Sequence, residues 1–542
     1  MLEKNLWYQN SIFYEVHTRA FSDSNQDGVG DLNGLTLKLD YLKSLGVDCI
    51  WLLPIYPSPL KDDGYDISDF YNVHPDLGTL EDFKKLVDET HQRGMHIIAD
   101  LVVNHTSDQC RWFLEAQSDP DSPYHQYYVW NDSPEKYQDA RIIFIDSETS
   151  NWTWNEKAGK YYWHRFYSCQ PDLNYDNPAV REELKSIMRF WLDMGIDGFR
   201  ADAVPYLIER EGTNCENLPE THAFLKELRR LMDIEYPGRI LLAEANQWPR
   251  DLRAYFGDGD EFHMAFRFPL MPRMFMAIAK GDSTAIVDNL DQSPEIPANC
   301  QWCTFLRNHD ELTVEMVTGE ERQFLWDFYA PEPRMRLNLG IRRRLASLMN
   351  GDIDKIELLY AILLSLPGAP IIYYGDEIGM GDNIWLNDRD GVRTPMQWSA
   401  KANGGFSEKP AGKLYLPAIQ EGRFGYPVIN VEAQIEDPNS LFNRLRRLIS
   451  VRKSHPAFSR QDIEILYRDR PEIFAVQFSE SGGKIICIHN LSTQVQEVAL
   501  PDLRCNLLHQ STNQSMNGEG IDLPAGKISL KPYAYVWLSH CA

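Results

Sequence analysis

The segment Gly198-Phe199-Arg200-Ala201-Asp202-Ala203 is a short, mostly apolar run with a carboxylate near its end. Short apolar runs that alternate with amphipathic helices are typical of the buried strands of a parallel sheet. The chain contains eight of them: Ile12–Val16, Val47–Leu53, His96–Val103, Gly198–Ala203, Ile240–Ala245, Phe262–Phe268, Trp302–Leu306 and Ala369–Tyr374. The predicted helices between them include Leu80–Arg93, Ala179–Met194 and Thr221–Ile234. Eight strand–helix units predict an α/β protein with a closed (β/α)₈ TIM barrel.

Three long segments interrupt the alternation of strands and helices. Residues 104–174 are predicted to form a small domain inserted after the third strand, and Glu311–Arg342 and Gly375–Asn439 are inserts after the seventh and eighth strands. All three leave the C-terminal ends of strands, where barrel enzymes have their active sites. Long loops in such positions are usually functional, so we expect these inserts to cover a site.

The last part of the chain has a different pattern, with successive short strands and turn residues. These predicted strands are Ile463–Leu466, Ile473–Phe478, Lys484–His489, Val495–Ala499 and Tyr533–Leu538. They predict an antiparallel β-domain over residues 456–542. The barrel then comprises residues 1–103 and 175–455.

The composition is that of a large acidic globular protein. Its 542 residues carry a formal net charge of −25, and 12% are aromatic. This charge argues against nucleic acid or an anionic membrane surface as a partner, and favours a small neutral or cationic ligand or a metal ion. Exposed aromatic rings would suit the packing of sugars, although most of the rings must belong to the core. The oligomeric state stays open, a homo-oligomer included.

The nine cysteines are an odd number and do not form a disulfide framework. Cys300 and Cys303 form one CxxC pair, and no second pair follows at zinc-ribbon spacing. The segment Met1–Asn10 lacks a signal-peptide pattern, and no apolar run is long enough to span a bilayer. We therefore expect reduced, buried thiols and a cytoplasmic location.

Polar residues recur at the ends of the third, fourth, fifth and seventh predicted strands. A single one of them could be a strand cap or part of an ion pair. Four on one barrel face favour a catalytic site, because the ends of parallel strands converge there. The polar residues at these strand ends are Asp100, Asn104, His105, Asp202, Glu244, Asn308, His309 and Asp310.

Three convergent carboxylates suit glycosyl transfer through a cation-like transition state. Asp202 is the candidate nucleophile, because Arg200 lies on the same strand face and favours its charged form. Glu244 is the candidate acid, because its apolar flanks predict desolvation and a raised pKa. Asp310 can hold sugar hydroxyls and stabilise a distorted ring. A separation of about 5–5.5 Å between Asp202 and Glu244 would predict retention of configuration.

Four blocks together resemble the signature regions of the α-amylase superfamily. They are Asp100–His105, Gly198–Ala203, Glu244–Asn246 and Asn308–Asp310, and their order and spread along the barrel also match. The resemblance implies that Asp202 is the nucleophile, Glu244 the acid/base and Asp310 the transition-state stabiliser. It further implies that three residues contact the glucosyl unit in the first subsite: Arg200, His105 and His309.

Two further blocks, Asp62–Asp66 and Arg393–Trp398, resemble those of exo-acting members of the superfamily. By this similarity Tyr65 stacks under the terminal glucose, and Asp62 pairs with Arg393 at the pocket end to hold the 4-hydroxyl. An exposed Asp62–Arg393 ion pair without such a role is the alternative. Phe166 is a candidate for the pocket wall or for the core.

Two sets of oxygen ligands are candidate metal sites, and no organic cofactor is predicted. The loop Asp23–Asp31 has oxygen donors at alternate positions, namely Asp23, Asn25, Asp27, Val29 and Asp31. This loop suits Ca²⁺ or Mg²⁺, with a plain Asx-rich turn as the alternative. The superfamily resemblance implies a second Ca²⁺ site, formed by Asn104, Asp172, Glu209 and the carbonyls of Tyr206 and Leu207.

Within the superfamily, four stretches are most similar to the group that isomerises maltose to trehalose. They are Gln170–Tyr175, Ala203–Asn217, Glu244–Pro249 and Arg307–Thr313. The resemblance implies intramolecular transglucosylation of this disaccharide through a covalent glucosyl-enzyme, with minor hydrolysis. An exo-acting α-glucosidase of the same fold is the first alternative. A catalytically silent sugar-binding relative is the second, although it would be expected to lack a catalytic carboxylate.

Overall fold

A computed structural model describes residues 6–410, 412–480, 483–500, 505–514, 522–523 and 526–541. Its centre is a closed barrel of eight parallel strands, so the predicted barrel is confirmed. In chain order the strands are β1 (Phe13–Val16), β2 (Cys49–Leu52), β3 (His96–Val102), β4 (Gly198–Asp202), β5 (Ile240–Ala243), β6 (Met264–Phe266), β7 (Gln301–Phe305) and β8 (Ala369–Tyr373). Each strand pairs with its sequence neighbours, and β8 closes the barrel against β1.

The barrel strands are shorter than the apolar runs that predicted them, most clearly in β6. The run from Phe262 to Phe268 is buried throughout, but only Met264–Phe266 pairs as strand. The amide of Phe262 instead donates to the carbonyl of Tyr255, a local contact outside the sheet. Burial therefore extends beyond the ladder, which is why hydrophobicity alone overestimated the strand.

Amphipathic helices pack around the strands and bury one face each. In Leu80–Gln92 the buried side chains include Phe83, Leu86 and Val87, and Thr79 and Asp82 form a capping box at its start. Other helices of the barrel region are Leu32–Leu37, Leu39–Leu45, Pro178–Asp193, Pro219–Glu235, Leu270–Lys280, Thr284–Asp291, Ile353–Leu364 and Leu441–Ser454. The predicted helices differ from these by one or two residues at their ends.

The insert after β3 contains the helix Arg111–Ser118 and a three-stranded sheet of Trp130–Asn131, Lys160–Trp163 and Trp152–Asn155. The β7 insert contains the helix Gly319–Tyr329 and a small sheet of Leu312–Thr313, Gly340–Ile341 and Arg336–Leu337. The segment after β8 consists mainly of turns, short 3₁₀ helices and the helix Val431–Glu436. All three begin at the same end of the barrel.

The C-terminal region forms an antiparallel sheet, as predicted. Its strand order is Ile463–Leu466, Ile473–Glu480, Gly483–Asn490, Tyr535–Cys541, Cys505–Gln510 and Asp522–Leu523. The predicted strand Val495–Ala499 is Gln496–Ala499 and pairs instead with Lys527–Leu530 in a separate two-stranded sheet. The strands near residues 505, 522 and 527 were not predicted, because their apolar residues are few and interrupted by polar ones.

Cys300 and Cys303 are buried and free, and the thiol of Cys300 donates to the carbonyl of Phe262. Within the described residues, no helix combines the length and the apolar character needed to cross a lipid bilayer.

Candidate active site

A cavity of about 150 Å³ opens at the C-terminal end of the barrel, much larger than the roughly 10–15 Å³ that one buried water needs. The three predicted catalytic carboxylates, Asp202, Glu244 and Asp310, all line it. So do most of the predicted substrate-binding residues, namely Asp62, Tyr65, His105, Phe166 and His309. The cavity is also lined by Glu315 of the β7 insert and Arg389 of the segment after β8, so all three inserts contribute to it.

Arg200 is the buried centre of the carboxylate cluster. Its Nη1 lies 2.6 Å from Oδ1 of Asp202 and 3.2 Å from Oδ1 of Asp100, and its Nη2 contacts Glu244. These residues belong to the ends of β3, β4 and β5, which are adjacent strands in the barrel. The sequence predicted the contact with Asp202 but not the one with Glu244, because Glu244 follows a different strand.

The carboxylates differ in how readily they ionise. Burial raises the pKa of Asp202 to about 6 even though Arg200 opposes the shift. Burial likewise raises the pKa of Glu244 to about 8, against Arg200 and reinforced by the negative charge of Asp202. Near neutral pH, Asp202 is therefore mostly ionised and Glu244 mostly protonated. This is the division between nucleophile and acid that the sequence suggested.

Asp310 has the opposite shift. Burial alone would raise its pKa, but the neighbouring His309, Arg389 and Arg393 outweigh burial and lower the pKa below its usual value. Oδ1 of Asp310 lies 2.9 Å from Nη1 of Arg389 and 3.1 Å from Nη2 of Arg393. Asp310 is thus a fixed negative charge at the pocket wall.

Two aromatic contacts define the pocket floor and side. The rings of Tyr65 and His309 are stacked at 5.3 Å, and the Tyr65 hydroxyl donates to Oδ2 of Asp100 at 2.6 Å. Nε2 of His105 donates to the carbonyl of Tyr65 at 3.3 Å, and the His105 ring lies 5.4 Å from that of Phe166. Phe166 is half-buried and lines the cavity, which favours the pocket-wall interpretation.

The predicted pairing of Asp62 with Arg393 is wrong. Asp62 is bound by Arg389, whose Nη2 lies 2.6 Å from Oδ1, while Arg393 lies 3.2 Å from Asp63 and donates to the carbonyl of His309. Neither Asp62 nor Arg393 is exposed, so the alternative of a surface ion pair is wrong as well. The 3₁₀ turn Asp390–Val392 separates the two arginines, which share Asp310 but bind different second carboxylates.

The inserts meet each other above the pocket. Glu315 of the β7 insert contacts Arg141 of the β3 insert, and its Oε2 accepts a hydrogen bond from Asn246 at 2.6 Å. Arg141 also binds Glu216 at 2.8 Å. These bridges join segments far apart in sequence, and two of their residues, Asn246 and Glu315, line the cavity. Asn246 and Glu216 lie in blocks that the sequence analysis singled out, but Arg141 and Glu315 lie in no motif, so the sequence did not predict the bridges.

Two more bridges join the inserts near the same rim. The amide of Asn338 in the β7 insert donates to Oδ2 of Asp146 in the β3 insert at 2.7 Å. The hydroxyl of Tyr167 donates to Asp388, in the segment after β8, at 2.9 Å. All three inserts are therefore held together around the pocket.

The loop Asp23–Asp31 already uses its carboxylates within the protein. Asp23 accepts hydrogen bonds from the amides of Gln26 and Gly28, and from the hydroxyl of Ser407. Asp31 accepts from the amide of Gly34 and so caps the helix Leu32–Leu37. This pattern is that of an Asx-rich turn, which is the alternative that the sequence left open. The binding of an ion in this loop stays a prediction.

The second predicted set of metal ligands differs from the loop, because several of its oxygens have no hydrogen-bond partner among the described residues. Oδ1 of Asn104, Oδ2 of Asp172 and Oε1 of Glu209 are buried and have no hydrogen-bond partner in the described part of the chain. Burial raises the pKa of Asp172 and Glu209 well above the usual value, and the charge of Asp172 raises the pKa of Glu209 further. Unpartnered buried oxygens are costly unless a cation satisfies them, so the chemistry of this donor set fits Ca²⁺.

The other ligands of that set are backbone carbonyls. Tyr206 and Leu207 lie at the end of the buried 3₁₀ turn Val204–Tyr206, directly after β4. Across the described residues, no three His, Cys, Asp or Glu side chains converge as a metal-binding group. An ion at this place would therefore need the amide and carbonyl oxygens as well as the two carboxylates.

The sequence matches a known family over most of its length. The model of the α-amylase catalytic domain matches residues 15–328 and 342–461. The chain belongs to the α-amylase family. The match begins at β1 and ends before the first strand of the C-terminal sheet, so it covers the barrel, the three predicted catalytic carboxylates and most of the inserted segments.

Within the α-amylase family, the protein is similar over most of its length to several individual proteins. It is 58% identical to "Trehalose synthase/amylase TreS" of Mycolicibacterium smegmatis, over 91% of this chain and 86% of that protein. It is 54% identical to "Trehalose synthase" of Pimelobacter, over 93% and 90%. The trehalulose synthase MutB of Pseudomonas mesoacidophila superimposes with a TM-score of 0.80 at 28% identity, over 98% of this chain and 99% of that one.

Proposed function

We propose that the protein interconverts maltose and trehalose by transferring a glucosyl group within one closed pocket. The observation that carries the proposal is the bridge from Arg141 through Glu315 to Asn246, which joins two inserts above the catalytic carboxylates. Hydrolase and isomerase share their first step, and they differ in whether water or the released glucose reacts next. A bridged cover favours the second outcome, because it excludes water and retains the glucose.

In the first step the carboxylate of Asp202 attacks the anomeric carbon of the non-reducing glucose of maltose. Glu244 donates its proton to the glycosidic oxygen, so that the bond to the second glucose breaks and a covalent glucosyl-enzyme forms. The low pKa of Asp202 relative to Glu244 supports these roles. The ionised Asp310 would stabilise the positive charge that develops on the sugar ring.

In the second step the freed glucose turns within the pocket. Glu244, now ionised, removes the proton from its anomeric hydroxyl, and that oxygen attacks the anomeric carbon held by Asp202. The carboxylate of Asp202 leaves, and the product is the α,α-1,1-linked disaccharide. Two inversions at the same carbon retain its configuration. A water molecule that attacks instead would give glucose, the minor product.

A Ca²⁺ ion bound by Asn104, Asp172, Glu209 and the carbonyls of Tyr206 and Leu207 is part of the proposal. When bound it would supply a fixed positive charge that joins the β3 insert to the loop after β4. Asn104 directly precedes His105, which lines the pocket, so the same residues also steady that side chain. The proposal further assigns a cytoplasmic location, which the free thiols of Cys300 and Cys303 support.

The test is an NMR time course of maltose alone, followed by one with ¹³C-labelled external glucose. We expect trehalose as the main product, maltose from trehalose in the reverse assay, and free glucose as a minor product. Labelled glucose should enter the disaccharides slowly. Mostly glucose from maltose would identify an α-glucosidase instead. Label that enters as fast as trehalose forms would exclude the intramolecular route.

A further inference from the structure

A buried carboxyl group outside the pocket contacts the pocket residue His309. Glu15 lies on β1, opposite Trp51 of β2 and Tyr373 of β8, and its side chain is fully buried. Its Oε1 lies 3.1 Å from the backbone nitrogen of His309 and 2.6 Å from Nδ1 of the same residue. Glu15 does not line the cavity, and both of these hydrogen bonds are to His309.

The other ring nitrogen of His309 faces the pocket. Nε2 lies 2.7 Å from the Tyr65 hydroxyl and 3.3 Å from Oδ2 of Asp310. Whether Nε2 donates or accepts a hydrogen bond therefore matters for a sugar hydroxyl in this position. The hydrogen bond made by one imidazole nitrogen determines which nitrogen carries the proton.

A count of hydrogens decides the direction of these contacts. The hydroxyl of Tyr65 has a single hydrogen, and it donates this to Oδ2 of Asp100 at 2.6 Å. Asp100 also faces Arg200 at 3.2 Å, which favours its charged, accepting form. The Tyr65 oxygen thus has no hydrogen left for His309, so Nε2 must carry the proton and donate it.

We propose that Glu15 is a positioning residue that shares a proton with Nδ1 of His309 and thereby keeps Nε2–H directed into the pocket. A protonated carboxyl oxygen can accept the backbone N–H of His309 and donate its own hydrogen to Nδ1 at the same time. If that proton lies on Nδ1 instead, Nε2 still carries its hydrogen, so both positions give the same donor. The inference depends on the proposed function only through the turnover assay.

The surroundings of Glu15 favour the protonated form. Its Oε2 is buried without a hydrogen-bond partner in the described ranges, and an unpaired charge there would be costly. Burial raises the pKa of Glu15 well above its usual value, and the charges of Asp310 and Asp100 raise it further, whereas the His309 amide and Arg200 lower it. The residues that face Glu15 therefore include charges of both signs, and burial is the largest contribution to its raised pKa.

Glu15→Gln tests the role with the change of one atom. The backbone N–H of His309 requires an acceptor at this position, so the amide oxygen, not the NH₂ group, faces His309. This oxygen can accept both contacts but cannot donate to Nδ1, so His309 must move its proton to Nδ1 and lose it from Nε2. We expect kcat for maltose to fall roughly 10²-fold, comparable to the loss of one transition-state donor. In ¹⁵N-histidine-labelled protein, with the His309 signal assigned by His309→Asn, the proton should move from Nε2 to Nδ1.

Glu377→Gln is the matched control. Glu377 is also a fully buried carboxyl group, but its Oε1 only accepts hydrogen bonds, from the hydroxyls of Tyr14 and Tyr41 at 2.8 and 2.6 Å. An amide oxygen serves equally well there. We expect kcat within about twofold of the native value and no change in the His309 signals.

A double variant separates action through His309 from a general structural effect. In a His309→Asn background, Glu15→Gln should lower kcat by less than about twofold, because the group it positions is already gone. An equal loss in both backgrounds would overturn the inference, as would an unchanged tautomer in Glu15→Gln. The tautomer of the native protein is a test without any variant or substrate: a proton on Nδ1 with none on Nε2 would contradict the inference even if the proposed reaction is correct.

Discussion

The guanidinium of Arg389 lies 2.6 Å from the carboxylate of Asp62 at the end of the pocket. The same guanidinium contacts Asp310 at 2.9 Å, so one cation joins the pocket base to the proposed transition-state stabiliser. Burial raises the pKa of Asp62 to about 7 even though the buried Arg389 lowers it, so loss of Arg389 would favour the neutral form of Asp62 further. The contact therefore joins Asp62, the residue predicted to hold the terminal glucose, to Asp310 of the carboxylate cluster.

Arg389→Ala should lower kcat/KM for maltose roughly 10²- to 10³-fold, because it leaves buried carboxylates without their partner. Steady-state kinetics on maltose and trehalose measure the effect, with Arg468→Ala as the control, since Arg468 forms an exposed pair with Asp291. If Arg393→Ala raised KM and Arg389→Ala did not, substrate binding at Asp62 would depend on Arg393 and not on Arg389.

Asp202→Asn should lower kcat roughly 10⁴-fold or more, because it removes the nucleophile. Arg200 keeps its contacts with Asp100 and Glu244, so we expect the melting temperature to shift by less than about 3 °C. Turnover and differential scanning calorimetry check the two parts. Substantial activity in a normally folded variant would show that another residue is the nucleophile.

The pH dependence of kcat/KM should be bell-shaped. Asp202 must be ionised, so activity rises as the pH increases through about 6, and Glu244 must be protonated, so activity falls as the pH increases through about 8. Because the two carboxylates interact, the limbs report apparent values of the pair. A profile measured in constant ionic strength checks this, and a rate that still rises above pH 9 would contradict the assignment of Glu244 as acid.

Chelation should lower the melting temperature by a few degrees, because an ion that binds only the folded chain at 100 times its Kd stabilises it by about 2.7 kcal/mol. In Asp172→Asn this sensitivity to EDTA should disappear, whereas in Asp27→Asn, the control in the other loop, it should remain. Elemental analysis identifies the ion. Loss of sensitivity only in Asp27→Asn would place the ion in the loop Asp23–Asp31.

Glu315→Gln should raise the share of glucose among the products several-fold, because it weakens the contact with Arg141 and opens the cover to water. The catalytic carboxylates are unchanged, so consumption of maltose should fall less than trehalose formation. Product ratios by NMR measure both. Glu235→Gln, in an exposed pair with Arg189, is the control. An unchanged glucose share would mean that this bridge does not exclude water.

The barrel and the convergence of its three carboxylates could be predicted because both depend on local sequence. Each strand is a buried apolar run, and the residues at its end meet those of neighbouring strands by the geometry of the barrel. Asp202, Glu244 and Asp310 therefore converge wherever eight such strands close. The length of each strand was less predictable than its position, because burial and strand pairing are separate properties. In the buried run Phe262–Phe268, only Met264–Phe266 pairs as strand.

The tertiary structure alone decided which side chains pair between segments distant in sequence. Arg389 and Arg393 have the same chemistry and are four residues apart, and only the turn Asp390–Val392 determines which of them reaches Asp62. The contacts of Glu315 with Arg141 and of Glu15 with His309 span 174 and 294 residues. No periodicity encodes such pairs, because the irregular inserts and loops that carry them take their path from packing against the whole barrel.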